Sequence, residues 1–369
     1  MNSKVKAVFL LVVAAIIGVS IWHSTKDSSQ GSGNILSTAS QNTVLKGIIT
    51  SEKENFFRDE RVKAILVKNG FDIQFERMAS GKIAQATQAI DLNNADFVFP
   101  SGIQTSEKVK TNFKGSQAYN IFYSPMVIAT WTPIVEILKQ NNVIKKVGEY
   151  EALDMESFMK LADNGVRWKD LKNSGAYPVN KVVLVSSSDS RFSNAAKMYL
   201  ALNSYVLNGN NVVLNNQDVD KVMPTLKRII QAQGNRENSS TNMMSDYMSI
   251  GRGKVPMMFA YESEFLENAF KNGGLGKDMQ LIYPTPTVFT KHVLVALNPK
   301  AQGLVDLFKK DEELKKLAIE YGFRFEGDAG IIQKAKIVKV NIPDVVVDVI
   351  DPPAYDVLDY MAELVEKRD

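Results

Sequence analysis

From Val44 onward, short apolar runs alternate with stretches of helical period, and few folds accept that alternation. A strand followed by a helix returns by a crossover that lays the next strand parallel to the first, which places the chain in the α/β class. The strand candidates are Val44–Thr50, Phe71–Glu76, Asp96–Phe99, Ile121–Trp131, Lys181–Val185 and Pro256–Tyr261, and "MQLIYPTPTVFTKHVLVALNP" reads as two more. Ser51 with Glu54 forms a capping box that opens a helix to about Asn69. Ser80 caps a second helix with Ile83, Ala86 and Ile90 on one face. Further helical patterns cover Ile134–Gln140, Ser193–Leu207, Asp218–Gln233, Thr241–Ile250, Glu264–Asn272, Leu304–Tyr321 and Ala354–Lys367. Pro125 has no amide hydrogen for a ladder, so the run that contains it is an edge or crossing segment.

The 369 residues allow about two domains. Ahead of the first strand, Lys4 and Lys6 precede a 16-residue uncharged run, Ala7 to Trp22. Residues 1–24 therefore read as a signal anchor or a signal peptide, with the basic end inside and the rest of the chain outside the cytoplasmic membrane, in the periplasm or at the cell surface. Val19-Ser20-Ile21-Trp22 is a poor small-x-small cleavage site, which favours the uncleaved anchor. Residues 25–43 are rich in Ser, Gly, Asn and Gln and form a flexible tether. The first 26 residues hold three lysines and no acid, so the net charge of +3 comes from them, and the remainder balances. A balanced surface without a basic aromatic cluster excludes nucleic-acid binding. The sequence has no cysteine, which excludes disulfides, thiolate metal sites and a cysteine nucleophile.

Four stretches in this order, "GIITSEKENFF", "YSPMVIATW", "RWKDL" and "LAIEYGFRFE", give the chain from Val44 to Asp369 a resemblance to the type 2 periplasmic solute-binding proteins of ABC importers. Its Tyr321 to Arg324 is similar to a helix end in the molybdate, sulfate and iron-type branch. The resemblance implies two α/β lobes joined by hinge strands, 44–130 with 288–369 as lobe 1 and 131–287 as lobe 2, closing on a small-molecule solute. It also implies an ABC permease or another membrane partner, a monomeric chain, and no cofactor or metal. A retained anchor would suit a sensory complex as well as delivery to an importer. The alternative is a membrane-anchored interaction protein that keeps the fold without a solute.

Ligands of open α/β sheets bind beyond the carboxyl ends of strands. In lobe 2 that position falls on Ser187, Ser188, Asp189, Ser190 and Arg191, hydroxyls and a planar cation suited to an oxyanion, with Asp189 open to a cationic group. In lobe 1 it falls on Thr50, Ser51 and Glu52, on Ser80 and Gly81, and on Ser101 and Gly102, with Ser124 at the crossing segment. Tyr261 and Glu262 follow the strand at Pro256, and Glu262 paired with Glu52 would suit an amine, a hydroxyl-rich solute or a hydrated metal. The serines also fit plain helix capping, with Ser193 or Asn194 as the cap, and Glu262 also fits the acid that a helix dipole favours. Tyr123, Trp131 and Tyr283 are expected in hinge packing. His23 and His292 are the only histidines, there is no Gly-x-Ser-x-Gly elbow or P-loop, and His292 reads as a hinge-strand residue bonded to backbone. The expectation is a binding protein for a small polar, anionic solute and not an enzyme.

Overall fold

The structure, a computed structural model, describes residues 42–148 and 150–367. The anchor or signal expected at 1–24 and nearly all of the tether lie outside the described residues. Among the described residues no helix is long and apolar enough to cross a membrane.

Three strands, β1 (Thr43–Ile49), β2 (Phe71–Arg77) and β3 (Phe97–Phe99), lie parallel with β1 in the centre. In β1 Leu45, Ile48 and Ile49 are buried, while Thr43, Val44 and Lys46 are exposed. The fourth strand, β4 (Gln117–Trp131), has 15 residues and spans about 50 Å, enough to pass from one lobe into the other. Beyond it come β5 (Ile144–Val147), β6 (Tyr150–Asp154), β7 (Met258–Tyr261), β8 (Met279–Thr285), β9 (Thr287–Ala296) and β10 (Val349–Ile350). The strand order is β2-β1-β3-β9-β4-β8-β6-β5, with β7 on β4 and β10 on β9.

β4 changes partner at its proline. From Gln117 to Pro125 it pairs antiparallel with β9, whereas from Met126 to Ala129 it pairs with β7 and from Ile128 to Trp131 with β8. Pro125 cannot donate to the β9 ladder, so the ladder ends where the chain leaves the first lobe. The run is thus the crossing segment of the two alternatives. β4 and β9 together form the hinge, and Trp131 donates to Val255 O at 2.9 Å in lobe 2.

Local differences from the sequence reading have tertiary causes. No capping box forms at Ser51: Glu54 is held by Arg58 and Arg77, each at 2.8 Å, and Ser51 accepts from Thr241 at 3.1 Å. The helix divides into Glu54–Arg58 and Glu60–Lys68, and Asp59 caps the second piece through the Arg61 amide at 2.8 Å. The Ser80 helix stops at Gln85, and Ile90 lies exposed in a separate turn. Lys181–Val185 is no strand; the segment makes only isolated bridges, Arg167 with Val182 and Ser186 with Met258. The Leu304–Tyr321 pattern is two helices, Gln302–Lys310 and Glu312–Glu320, separated at Asp311.

The closing helix, Tyr355–Glu366, touches the first lobe through the Lys108–Asp356 ion pair at 2.7 Å. It packs on helices Asn194–Leu207 and Asn216–Gln231. Leu358, Met361 and Val365 make its buried stripe, and Asp359 supplies the 2.5 Å ion-pair partner of the buried Lys197.

Candidate functional site: the cleft between the lobes

After each parallel strand of the first lobe the chain turns toward the second: Thr50–Glu52 after β1, Ser80 after β2 and Ser101 after β3. The second lobe answers with Phe192–Asn194 at the start of helix Asn194–Leu207, Asn238–Ser240 at the start of helix Ser240–Ser249, and Tyr261 at the end of β7. These residues, with Arg77, Met78 and Ala79, enclose a cleft of about 210 Å³. The lobes touch around it. The Gly81 amide donates to Phe192 O at 3.4 Å, and Asn55 Nδ2 donates to Glu267 Oε1 at 2.6 Å. A Cβ on Gly81 would lie 2.4 Å from Arg191 O, and one on Gly102 2.3 Å from Asn194 Oδ1. The two glycines are thus contact points between lobes.

The floor of the cleft is a buried charge network. Lys53, which has no exposed surface, pairs with Glu52 and donates to Thr50 Oγ1 at 2.8 Å. Thr50 Oγ1 donates to Glu52 Oε1 at 2.6 Å, and Ser101 donates to the same oxygen. Burial opposes the Glu52 charge, but the adjoining Lys53 cation leads the influences that outweigh it and hold the carboxyl well below its ordinary range. His292 lies with Nδ1 3.5 Å from Glu52 Oε1, and neither ring nitrogen has a hydrogen-bond partner. It is therefore not bonded to backbone, and burial, with Lys53 nearby, pulls its pKa down to about 4. Tyr261 accepts from Asn194 Nδ2 at 3.2 Å, and burial followed by the Glu52 charge raises its pKa.

Glu264, beside the cleft and not among its lining residues, accepts from Thr241 at 2.7 Å and Ser240 at 3.0 Å. Burial is the main cause that pushes its pKa up to about 8. These two shifts act oppositely on stability. Glu264 holds a proton in the folded state that the unfolded chain releases above about pH 4.5, so its contribution falls as pH rises toward 8. His292 stays neutral when folded, so its contribution falls as pH drops from 6.5 toward 4. The effects cancel where they overlap, which leaves the window from 6.5 to 8 to Glu264. Stability will decline across that window by at most about 1.4 kcal/mol per pH unit, and Glu264→Gln will flatten it in urea unfolding curves.

The loop at Ser187–Arg191 does not line the cleft. Ser187 binds Gln233 Oε1 through its amide at 2.7 Å and its hydroxyl at 3.2 Å, and Ser188 donates to Ser193 Oγ at 2.8 Å. Arg191 folds back on Asp189, with its amide at 2.9 Å and Nε at 3.0 Å from Oδ1. Ser190 is buried, and its hydroxyl has no partner. The preceding segment is not a sheet strand, so the loop closes on itself and the helix start two residues later reaches the cleft. Ser188→Ala with Arg191→Ala will therefore leave the lining of the cleft unchanged. It will lower stability by about 1 kcal/mol, since the Arg191 side chain is half exposed.

Glu262 is also elsewhere. Its oxygens take Arg324 Nε at 2.6 Å and Nη2 at 2.9 Å, and Tyr283 donates to it, in a buried cluster at the hinge. It does not meet Glu52. Ser124 accepts from the Ser263 amide at 3.0 Å beside that cluster and does not line the cleft. Lys53, Ser193, Asn194, Ser239, Ser240, Glu264 and His292 were missed by sequence reasoning. The Ser239-Ser240-Thr241 run before a helical pattern carried the same signal as Ser80.

Two lobes crossed by a pair of long antiparallel hinge strands, with a polar cleft at the strand ends, define the type 2 periplasmic solute-binding fold. Solved structures agree in fold. Iron-bound HitA from Pseudomonas aeruginosa is 12% identical with a TM-score of 0.55, covering 88% of this chain and 100% of its own. A periplasmic thiamin binding protein is 8% identical with a TM-score of 0.51, covering 89% and 97%. The sulfate-binding protein SubI from Mycobacterium tuberculosis is 14% identical with a TM-score of 0.50, covering 89% and 100%. No family profile matches the sequence, and no curated protein matches it.

Proposed function

We propose that the protein is an extracytoplasmic solute-binding protein that closes its two lobes on a small oxyanion, for an ABC-type importer or a membrane-linked sensory complex. One observation carries the reading: the cleft gathers the first turns of helices Asn194–Leu207 and Ser240–Ser249 from one lobe against the hydroxyls of Thr50, Ser51, Ser80 and Ser101 from the other. First-turn amides have no partner within their helix, and Ser193 makes no side-chain cap, so the amides of the first of these helices are left to a ligand. Lys53 offsets the Glu52 charge that would otherwise repel an anion. Arg77 stands at the rim, its charge matched by Glu54 at 2.8 Å. The contacts come from both lobes, so a bound anion stabilises the closed arrangement.

The neighbours named above bind sulfate, thiamin and iron, so the fold leaves the solute to the residues in the cleft. The test is native mass spectrometry of residues 42–369, followed by calorimetric titration with sulfate and with alkanesulfonates. Binding in the micromolar range that is lost at high ionic strength supports the reading; no heat at millimolar concentration overturns it.

A further inference from the structure

Next to the oxyanion cleft, and sharing Ser51 and Glu52 with it, lies a second chamber of about 360 Å³. Its far wall is made by Met244 and Met248 from helix Ser240–Ser249 and by Glu264 and Glu267 from helix Glu262–Lys271. Three carboxylates face it, and two are already answered: Glu52 by Lys53, and Glu267 by Asn55 Nδ2 at 2.6 Å. The third is not. Glu264 is 4% exposed, its Oε1 accepts from Ser240 and Thr241, and its Oε2 is buried with no hydrogen-bond partner.

Folded proteins rarely leave a buried carboxyl oxygen unmet, and a cationic donor in the chamber would let Glu264 give up the proton that burial holds on it, so that Oε2 accepts from that donor. With the Glu52 charge balanced, Glu267 and the carboxylate that Glu264 becomes beside a cation favour a positively charged group. Among the described residues no group of three or more His, Asp and Glu could hold a metal ion, while the methionine side chains suit an alkyl body. We propose that this chamber holds a protonated amine of the solute whose anionic group occupies the neighbouring cleft, so that the solute is a zwitterion with an oxyanion and an ammonium joined by a short alkyl spacer. The proposal rests on the oxyanion reading. The two chambers meet at Ser51 and Glu52, which keeps the spacer short.

The experiment is calorimetric titration of the wild-type protein with 2-aminoethanesulfonate and 3-aminopropanesulfonate, each against the alkanesulfonate lacking the amine, repeated with Glu264→Gln. One charge-assisted hydrogen bond corresponds to about 10- to 100-fold in affinity. The aminated compound of the better-fitting length should bind tighter than its parent by that factor, and in Glu264→Gln the difference should vanish. Equal binding of aminated and parent compounds to the wild-type protein overturns the amine chamber and leaves the oxyanion reading standing. An advantage that persists in Glu264→Gln overturns the assignment to Glu264. If no sulfonate binds, aminated or not, the oxyanion reading fails and this inference fails with it.

Discussion

Lys53→Met will destabilise the folded protein by about 3–5 kcal/mol at pH 7, the largest loss expected of a cleft substitution. Lys53 is fully buried one residue from Glu52, whose carboxylate it neutralises beneath the cleft. Removing the cation strands that carboxylate, for burial is the largest of the influences on Glu52 and favours its neutral form. The hydroxyls of Thr50 and Ser101 offer hydrogen bonds but no compensating charge. Two further results distinguish a stranded charge from lost packing. The deficit in Lys53→Met should shrink at pH 5 as Glu52 protonates, and Glu52→Gln combined with Lys53→Met should recover most of the loss. Urea unfolding at both pH values checks this, and a loss below about 1 kcal/mol at pH 7 would count against a buried, mutually dependent pair.

Gly81→Val will cut solute affinity by about 100-fold while leaving unfolding stability within about 0.5 kcal/mol. The nearest atoms to a Cβ at Gly81 are Arg191 O at 2.4 Å, Arg191 C at 3.4 Å and Phe192 Cα at 3.6 Å, all in the opposite lobe. The first lobe can accept the side chain, but the second cannot approach it. Binding that depends on contacts from both lobes then loses half of them, since the closed state is what the solute stabilises. Small-angle scattering should show a compaction on adding solute in the wild type and none in Gly81→Val. Unchanged affinity would mean that the solute does not require the closed arrangement.

The alternation of apolar runs and helical patterns made the α/β class legible, because periodicity depends on which faces are buried and burial is written in residue type. Pro125 likewise narrowed its run to an edge or a crossing segment, since a missing amide hydrogen acts wherever the residue sits. The capping box at Ser51 was legible too, yet it does not form. Its members find Arg58 one turn on, and Arg77 and Thr241, which are distant in sequence. Lys181–Val185 has strand composition but no continuous neighbour to pair with, and pairing is a property of the sheet and not of the segment.

For the cleft, the sequence by itself determined which strand ends carry hydroxyls and glycines, and Thr50, Ser51, Glu52, Ser80, Ser101 and Tyr261 do line it. It could not determine direction. Glu262 and Glu264 lie two positions apart on one helix, about 200° around its axis, so they cannot face the same neighbour. Only the packing of that helix against the hinge sent Glu262 to Arg324 and turned Glu264 toward the chamber beside the cleft. Arg191 carried the right chemistry for an anion, but Asp189 two residues away took its guanidinium, since a nearby carboxylate in a tight turn wins over a distant solute. Residue type is fixed by the chain, whereas the partner of each charge is fixed by which elements the fold brings within a few ångströms, because electrostatic and hydrogen-bond energies fall off steeply with distance.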